Sequence, residues 1–211
     1  MAKHRLAQAL LIAADENNLV LSQIQQQKLL QYLDLLIDWN RVFNLTHITE
    51  PHEMVYLHLI DSLILHSYLH GKRMLDVGSG GGLPGIPLAI FNPDQEWTLL
   101  DKNGKKTRFL TQVIAELGLS NVHIIHHRCE NFHPEHCFDT ILARAFGTIR
   151  LFVESTEHLL CPSGLLIMMK GKYPQNELDE IPQRFSVDNV TPLNIKGMNV
   201  ERHLVCLRRE K

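Results

Sequence analysis

The sequence lacks the features that would identify a membrane, redox or strongly nucleic-acid-binding protein from composition alone. No apolar run approaches the roughly 20 residues that a membrane-spanning helix needs. The formal net charge is −2, so any RNA contact must depend on local positive charge. No cysteine pair has CxxC spacing, which argues against a zinc ribbon or a redox dithiol. We therefore expect free thiols at Cys129, Cys137, Cys161 and Cys206.

Other absences narrow the class further. The 13 histidines are scattered and have no helical spacing to a carboxylate, so we expect no metal site. The N-terminal apolar stretch has no small-residue cleavage pattern and continues into polar sequence, which argues against a signal peptide. With 45% hydrophobic and 21% charged residues, the composition is that of an ordinary globular protein. We expect a cytoplasmic monomer without a membrane partner.

The first part of the chain has the apolar periodicity of helices. Ser22 followed by Gln25 is a capping-box signature, and apolar residues then recur at helical spacing. A second helix is expected after WNRVFNLT, with Thr49 as its cap and Pro51 in its first turn. We assign residues 1–70 to a helical N-terminal extension.

Short apolar runs alternate with helical patterns from residue 72 onward. Such alternation is typical of βαβ units, in which a parallel sheet carries helices on both faces. Strands are expected at 73–77, 96–101, 121–125, 138–143 and 164–170, and helices from about Pro84, over 105–117 and over 151–160. Two further β-like runs, SVDNVTPL and ERHLVCLRR, could form a closing antiparallel pair. We predict an α/β, Rossmann-like fold with a mostly parallel seven-stranded sheet over residues 71–211.

A glycine-rich segment, LDVGSGGGLPGIPLA (75–89), connects the first strand to the next helix. Glycine loses more conformational entropy on folding than other residues, so this loop indicates close approach of a ligand to the backbone. The dinucleotide fingerprint fails because Leu83 stands where its third glycine is required, and a Walker A loop fails because no lysine follows. What is left is an acidic residue with three alternating glycines: Asp76, Gly78, Gly80 and Gly82.

Two acidic residues indicate which ligand the loop binds. A carboxylate at Asp76, two residues before the first glycine, would repel a pyrophosphate. It would favour the cationic ammonium of S-adenosylmethionine (SAM), directly or through water. Asp101 ends the next strand, where its carboxylate can accept both ribose hydroxyls of an adenosine. The pair favours SAM as the cofactor over a phosphate-rich coenzyme.

Longer motifs extend this interpretation over nearly the whole chain. They are WNRVFNLT (39–46), HLIDSL (58–63), LDVGSGGGLPGIPLAI (75–90), LLDKNGKKTRFL (99–110), CENF (129–132), FDTILARAF (138–146) and MMKGK (168–172). On these motifs the sequence resembles the ribosomal RNA small subunit methyltransferase G family, also called glucose-inhibited division protein B. The resemblance implies a class I SAM-dependent methyltransferase fold. It also implies methyl transfer from SAM to N7 of one guanine in 16S ribosomal RNA.

The resemblance further implies individual site residues. Gly78 and Leu83 match positions of the SAM pocket in the family. Cys129 and Glu130 match a segment that lies along the adenine, and Arg144 matches a SAM-contacting arginine. One departure is visible at positions 105–106, where many members have Lys-Arg and this chain has two lysines. A bidentate phosphate grip at the second of these positions is therefore in question.

An RNA substrate requires local positive charge near the cofactor. Basic residues follow the second and fifth strands, at the carboxyl edge where α/β sheets bind ligands. We expect the RNA-binding residues to be Lys102, Lys105, Lys106, Arg108, Lys170 and Lys172. The apolar residues of RVFNLT favour packing of this segment over the SAM pocket, although Arg41 and Asn44 could instead touch RNA.

The chemistry implied for N7 needs no general base, because this nitrogen carries a free lone pair. Orientation of N7 in line with the methyl–sulfur bond would supply the acceleration, so no catalytic residue is assigned. Two alternatives stay open. The first is a binding module of the same fold without activity, and the second is a NAD-dependent oxidoreductase, against which Leu83 argues. The sequence also leaves open whether naked RNA, a precursor particle or the assembled subunit is the substrate.

Overall fold

A computed structural model describes residues 2–210, with side chains described from His4 onward. Seven strands form one sheet in the order β3-β2-β1-β4-β5-β7-β6. They are β1 (Arg73–Val77), β2 (Glu96–Asp101), β3 (Val122–His126), β4 (Phe138–Arg144), β5 (Leu160–Lys170), β6 (Phe185–Pro192) and β7 (His203–Arg209). Strands β1 to β5 pair in parallel, whereas β7 is antiparallel to both β5 and β6. The predicted mostly parallel seven-stranded sheet and its antiparallel closing pair are confirmed.

The helices precede the sheet and connect its strands. They are α1 (Ala2–Glu16), α2 (Gln23–Phe43), α3 (Pro51–Met54), α4 (Asp61–Leu63), α5 (Gly85–Phe91), α6 (Gly104–Leu117), α7 (Ile149–Thr156) and α8 (Gln175–Leu178). The chain runs outward from β1 to β3 and then returns to β4 on the other side of β1. This reversal creates a switch point between β1 and β4, and ligands of α/β proteins bind at the carboxyl ends of strands beside such a point.

The start of α2 follows its sequence signal, whereas the next helical segment does not. The Ser22 side chain accepts from the Gln25 amide, and the Gln25 side chain accepts from the Ser22 amide, so the capping box is present. In the next segment Glu50, not Thr49, precedes the first helical residue, and no side chain caps it. A π-helix over Val55–Ile60 and a 3-10 helix over Ile64–Tyr68 then flank α4, instead of one regular helix.

The N-terminal helices and one face of the sheet share a single hydrophobic core. Leu33 of α2 and Leu63 of α4 belong to the same buried cluster as Trp97 of β2 and Phe109 of α6. A second cluster on the other face joins β1 and β4 to α7 through Phe152. The helices of residues 1–70 therefore lie directly behind the strands that carry the site, and the domain limit at residue 70 stays a prediction.

The expectation of four free thiols is wrong for two of them. Cys137 and Cys161 form a disulfide, with their Cα atoms 5.0 Å apart. Their separation of 24 residues in the sequence does not indicate a pair. The two cysteines come together only in the fold, through the parallel alignment of β4 with β5. Cys129 and Cys206 are free and buried.

Neither a membrane span nor a metal cluster is found within residues 2–210. No helix there has both the length and the apolar character needed to cross a bilayer. No group of three or more His, Cys, Asp or Glu side chains in that part of the chain is arranged to hold a metal ion.

Candidate cofactor site and its neighbour

The glycine loop lies at the carboxyl ends of β1 and β2 beside a crevice of about 350 Å³. The backbone amides of Gly78 and Ser79 both donate to the carbonyl of Leu100, at 2.8 and 3.2 Å, which fastens the loop to β2. Gly78 has φ +71° and Gly80 has φ +58°, left-handed values that other residues rarely adopt. The loop can therefore turn sharply and leave backbone open to a ligand. The crevice has the volume of an ordinary small-molecule site.

Asp101 ties the glycine loop to the end of β2 and also lines this crevice. Its Oδ2 accepts from the amide of Gly80 at 2.9 Å, and its Oδ1 accepts from the amide of Asn103 at 2.8 Å. A carboxylate has about four acceptor positions, so these two bonds leave acceptor capacity on both oxygens. Asp101 can thus accept ribose hydroxyls while it holds the loop, although its side chain is almost fully buried.

Asp76 does not line the crevice, and its contact with the cofactor, directly or through water, stays a prediction. Its side chain has no exposed surface, and its Oδ2 accepts from the amide of Gly85 at 2.9 Å in the first turn of α5. In β1 it shares a face with Met74, whereas Leu75 and Val77 belong to the cluster on the opposite face. The side chain in this position supports the start of α5.

Burial also changes the protonation of Asp76. Desolvation raises the pKa of this carboxyl from 3.8 to about 7, partly offset by the bond from Gly85 and by Arg144. Its Oδ1 has no hydrogen-bond partner among the described residues. Between pH 3.8 and about 7, the Asp76 carboxyl is therefore protonated in the folded protein and ionised in the unfolded chain.

A pH-dependent stability difference follows for Asp76→Asn. Because the pKa is raised on folding, the stability contributed by Asp76 is present below pH 3.8 and is lost as pH rises towards about 7. We measure the free energy of unfolding in urea at about pH 5 and about pH 8. From the lower to the higher pH, the value for Asp76→Asn should rise relative to that of the wild type by on the order of 2 kcal/mol. His58, whose pKa burial lowers to about 4, affects both proteins equally and so cancels in the difference. An unchanged difference across this range would contradict the assignment.

The N-terminal helices support the glycine loop through one buried hydrogen bond. The Tyr32 hydroxyl of α2 donates to the carbonyl of Gly81 at 2.6 Å, and Tyr32 is fully buried. Leu36 lies one turn further along α2, and a Cβ added at Gly81 would be 3.2 Å from its Cδ1 atom. Burial raises the pKa of Tyr32, so this hydroxyl stays a donor at all ordinary pH values. The shape of the loop therefore depends on α2.

Tyr32→Phe is expected to weaken SAM binding about 3- to 10-fold with a small loss of stability. The change removes only the hydroxyl and leaves one buried carbonyl unpaired, which costs about 1 kcal/mol or somewhat more. Calorimetric titration with SAM measures the effect. Tyr68→Phe is the matched control, because Tyr68 packs against the same core but precedes β1, whereas the glycine loop follows β1. Equal affinities of Tyr32→Phe and wild type would show that the loop does not need this bond.

The opposite wall of the crevice contains residues from the segments after β3 and β4. Cys129 and Glu130 line it, and the contact with the adenine that the resemblance implies for them stays a prediction. The Cys129 thiol donates to the Ser155 carbonyl, and burial raises its pKa to about 12, so it is no nucleophile near neutral pH. Phe146 and Leu151 also line this wall and were missed. The sequence gives no signal for Leu151, because its 48% exposure on α7 is known only from the structure.

Gly82 and Leu83 lie behind the loop and do not line the crevice. Gly82 has φ +88° and packs against Ile86 and Leu110, while Leu83 is buried in the core below α5. Their position is suited to shaping the loop, and a contact of either with the cofactor stays a prediction.

Arg144 lies in a neighbouring pocket, which adjoins the crevice at Ala145. Its Nη1 donates to the Leu57 carbonyl at 3.1 Å and to Asp61 Oδ2 at 3.2 Å. The contact between Arg144 and SAM stays a prediction.

The basic residues predicted to bind RNA fall into three groups. Lys102 and Lys106 line the crevice itself. Lys170 is mostly buried and donates to the Gly147 carbonyl and to Glu177, so it is not a free cation. The remaining members of the predicted set are exposed: Lys105, Arg108 and Lys172.

The RVFNLT segment packs less than its apolar residues suggested. Val42 is 70% exposed, and Arg41 pairs with Asp38 on the surface. Asn44 ends α2 in the left-handed conformation, with φ 50°. Leu45, beyond this turn, comes close to the glycine loop near Gly81. The expectation of packing is therefore wrong for Val42, which lies on the outer side of α2.

Comparison with known proteins gives consistent matches over most of the chain. Residues 25–205 match the family model described as GidB, rRNA small subunit methyltransferase G. The ribosomal RNA small subunit methyltransferase G of Nitrosococcus oceani is 51% identical over 188 residues, covering 89% of this chain and 88% of the relative. The protein of the same name from Ectopseudomonas mendocina is 47% identical over 207 residues, covering 97% of each chain.

Solved structures support the fold at much lower identity. The glycopeptide N-methyltransferase MtfA, solved with SAM, aligns with a TM-score of 0.62 at 12% identity, covering 71% of this chain and 93% of that one. An rRNA methylase from Streptococcus thermophilus aligns with a TM-score of 0.51 at 16% identity, covering 72% and 95%. At such identities the likeness concerns the fold alone.

Proposed function

Because the chain belongs to the rRNA small subunit methyltransferase G family, we propose that it transfers a methyl group from SAM to N7 of a guanine in 16S ribosomal RNA. Family membership excludes the NAD-dependent oxidoreductase. The proposal also places the protein in the cytoplasm, acting as a monomer on ribosomal RNA or on a small-subunit particle.

One observation carries the proposed cofactor site: Asp101 ends β2 beside the crevice with acceptor capacity still open on both carboxylate oxygens. A carboxylate at the end of the second strand suits the two ribose hydroxyls of an adenosine. Gly78 provides close backbone approach on one side, and Cys129 and Glu130 form the opposite wall. This arrangement fits SAM, whose sulfonium supplies an electrophilic methyl group when bound.

The chain's own residues need only bind and orient the acceptor. N7 of guanine attacks with its free lone pair, so no side chain must remove a proton before the reaction. The Cys129 thiol stays protonated near neutral pH and does not compete as a nucleophile. Holding the two reacting groups in line can lower the barrier by up to about 7–11 kcal/mol.

The proposal is tested by incubating the purified protein with methyl-labelled SAM and 16S RNA that lacks the modification. The RNA is supplied both naked and within small subunits, and nucleosides are then analysed by mass spectrometry. We expect 7-methylguanosine at a single position, dependent on the protein. Label in another nucleoside, or no label with either substrate, would contradict the proposal and would favour the inactive binding module.

A further inference from the structure

A second pocket of about 420 Å³ adjoins the candidate cofactor crevice at the carboxyl ends of β4 and β5. Ala145, which follows β4, lines both cavities. The second pocket is also lined by Thr46 and His47 from the loop after α2, by Lys170 at the end of β5, and by Arg202 just before β7. A molecule in this pocket would therefore lie directly beside a molecule in the crevice.

Two arginines of the second pocket are held by one buried carboxylate. Asp61 of α4 has no exposed surface; its Oδ2 accepts from Arg144 Nη1 at 3.2 Å and its Oδ1 from Arg202 Nε at 3.0 Å. Arg202 Nη1 also donates to the Glu201 carbonyl at 3.1 Å. A guanidinium group carries five N–H donors, so these bonds leave each arginine with further donors.

This bridge leaves the pocket with one excess positive charge. Two guanidinium groups face a single carboxylate, and each arginine side chain keeps 24% of its surface exposed. Lys170 adds little to this charge, because it is paired with Glu177. His58 is held neutral, since burial and the nearby Arg144 lower its pKa to about 4.

We propose that the second pocket holds the acceptor nucleotide of the RNA, with Arg202 donating to a backbone phosphate and Asp61 positioning the arginine. This inference rests on the proposed function and names the substrate contact of the same site. Arg202 is the phosphate contact because it lies on the β7 side of the pocket, whereas Arg144 ends β4 next to Ala145 and the crevice.

A phosphate is a better partner for Arg202 than the base edge. Arginine often donates to O6 and N7 of guanine together. A donor on N7 would occupy the lone pair that must accept the methyl group, so such a contact would inhibit the proposed reaction. A phosphate oxygen matches a planar guanidinium equally well and leaves N7 free.

The test is the salt dependence of RNA binding by Arg202→Gln. A short fragment of 16S RNA is titrated by fluorescence anisotropy between about 50 and 200 mM salt, where each lost phosphate contact lowers the log–log slope by about one. We expect a slope smaller by about one, an affinity about 10-fold lower at the low-salt end, and an unchanged Kd for SAM. Arg184→Gln, which removes an exposed guanidinium paired with Glu157 elsewhere on the surface, should bind RNA as the wild type does.

Asp61→Asn tests the positioning role. It should raise the KM for RNA by a larger factor than the Kd for SAM, because Asp61 holds Arg202 as well as Arg144, the predicted cofactor contact. A general loss of folding would impair both to the same extent. If this variant does not fold, because a buried ion-pair partner has been removed, Arg202→Gln alone carries the test.

Two outcomes separate this inference from the proposed function. An Arg202→Gln protein with the wild-type salt slope, or one that loses SAM affinity instead, would overturn the inference even if the wild type makes 7-methylguanosine. A reduced slope in this variant, combined with a wild type that forms no 7-methylguanosine, would support the phosphate contact and contradict the proposed function.

Discussion

Asp101→Ala is expected to weaken SAM binding by about 100-fold or more while the chain still folds. The substitution removes the acceptor of the Gly80 and Asn103 amides and the proposed acceptor of the ribose hydroxyls. Hydrogen bonds to a charged group each contribute about 1.5–3 kcal/mol, so losing two ribose contacts corresponds to at least two orders of magnitude in Kd. The released loop would add to the loss because it must be reordered on binding.

Calorimetric titration with SAM measures this effect, and Asp94→Ala is the control. Asp94 is an exposed carboxylate in the turn before β2, so its removal has the same effect on net charge without touching the loop. Thermal melts of both variants should stay cooperative. A wild-type Kd for Asp101→Ala would place the adenosine elsewhere, and a lost melt would make Asp101 a structural residue.

Gly82→Ala is expected to destabilise the protein by about 2–5 kcal/mol. A Cβ at this position would stand 2.6 Å from Ile86 Cγ1 and 2.8 Å from Leu110 Cδ2, both in the buried core. Overpacking costs typically 1–3 kcal/mol, and the left-handed backbone, with φ +88°, adds about 1–2 kcal/mol for any other residue. Because Gly82 closes the glycine loop, SAM binding should weaken as well.

Gly118→Ala separates the two contributions. Gly118 has a comparable left-handed φ of +59°, but a Cβ there would meet no atom within 4 Å. Urea unfolding should therefore show only the backbone cost of about 1–2 kcal/mol for Gly118→Ala. Equal losses for the two variants would mean that packing around Gly82 gives way, contrary to the expectation.

The fold was predictable because each strand and helix carries its own local signal. Apolar runs of strand length alternate with helical periodicity from residue 72, and β1 and β2 have the predicted bounds. The prediction failed where structure depends on contacts beyond the local pattern. The segment after Thr49 is an example: a π-helix and a 3-10 helix stand where the apolar spacing predicts one regular helix, and several of their residues are buried in the core.

The position of the glycine loop could be predicted, but the direction of Asp76 could not. Side chains alternate between the two faces of a strand, and in β1 the residues on both faces are buried. The sequence therefore does not show to which face the Asp76 side chain points. The position of Asp101 was easier to predict, because it is the last residue of β2 and so lies at the carboxyl edge of the sheet.

Clusters assembled from distant segments were beyond sequence reasoning. Asp61 is 83 residues from Arg144 and 141 from Arg202, and only the fold brings the three together. The HLIDSL motif marked Asp61 as part of the family resemblance but gave no role for it. The Cys137–Cys161 disulfide is missed for the same reason.

The most direct measurement of the central claim is a crystal structure of the protein with S-adenosylhomocysteine. We predict the adenosine in the crevice between Gly78 and Cys129, with its ribose hydroxyls on Asp101 and the second pocket left open for a nucleotide. A ligand bound outside this crevice, or a crevice left empty at saturating ligand, would contradict the account.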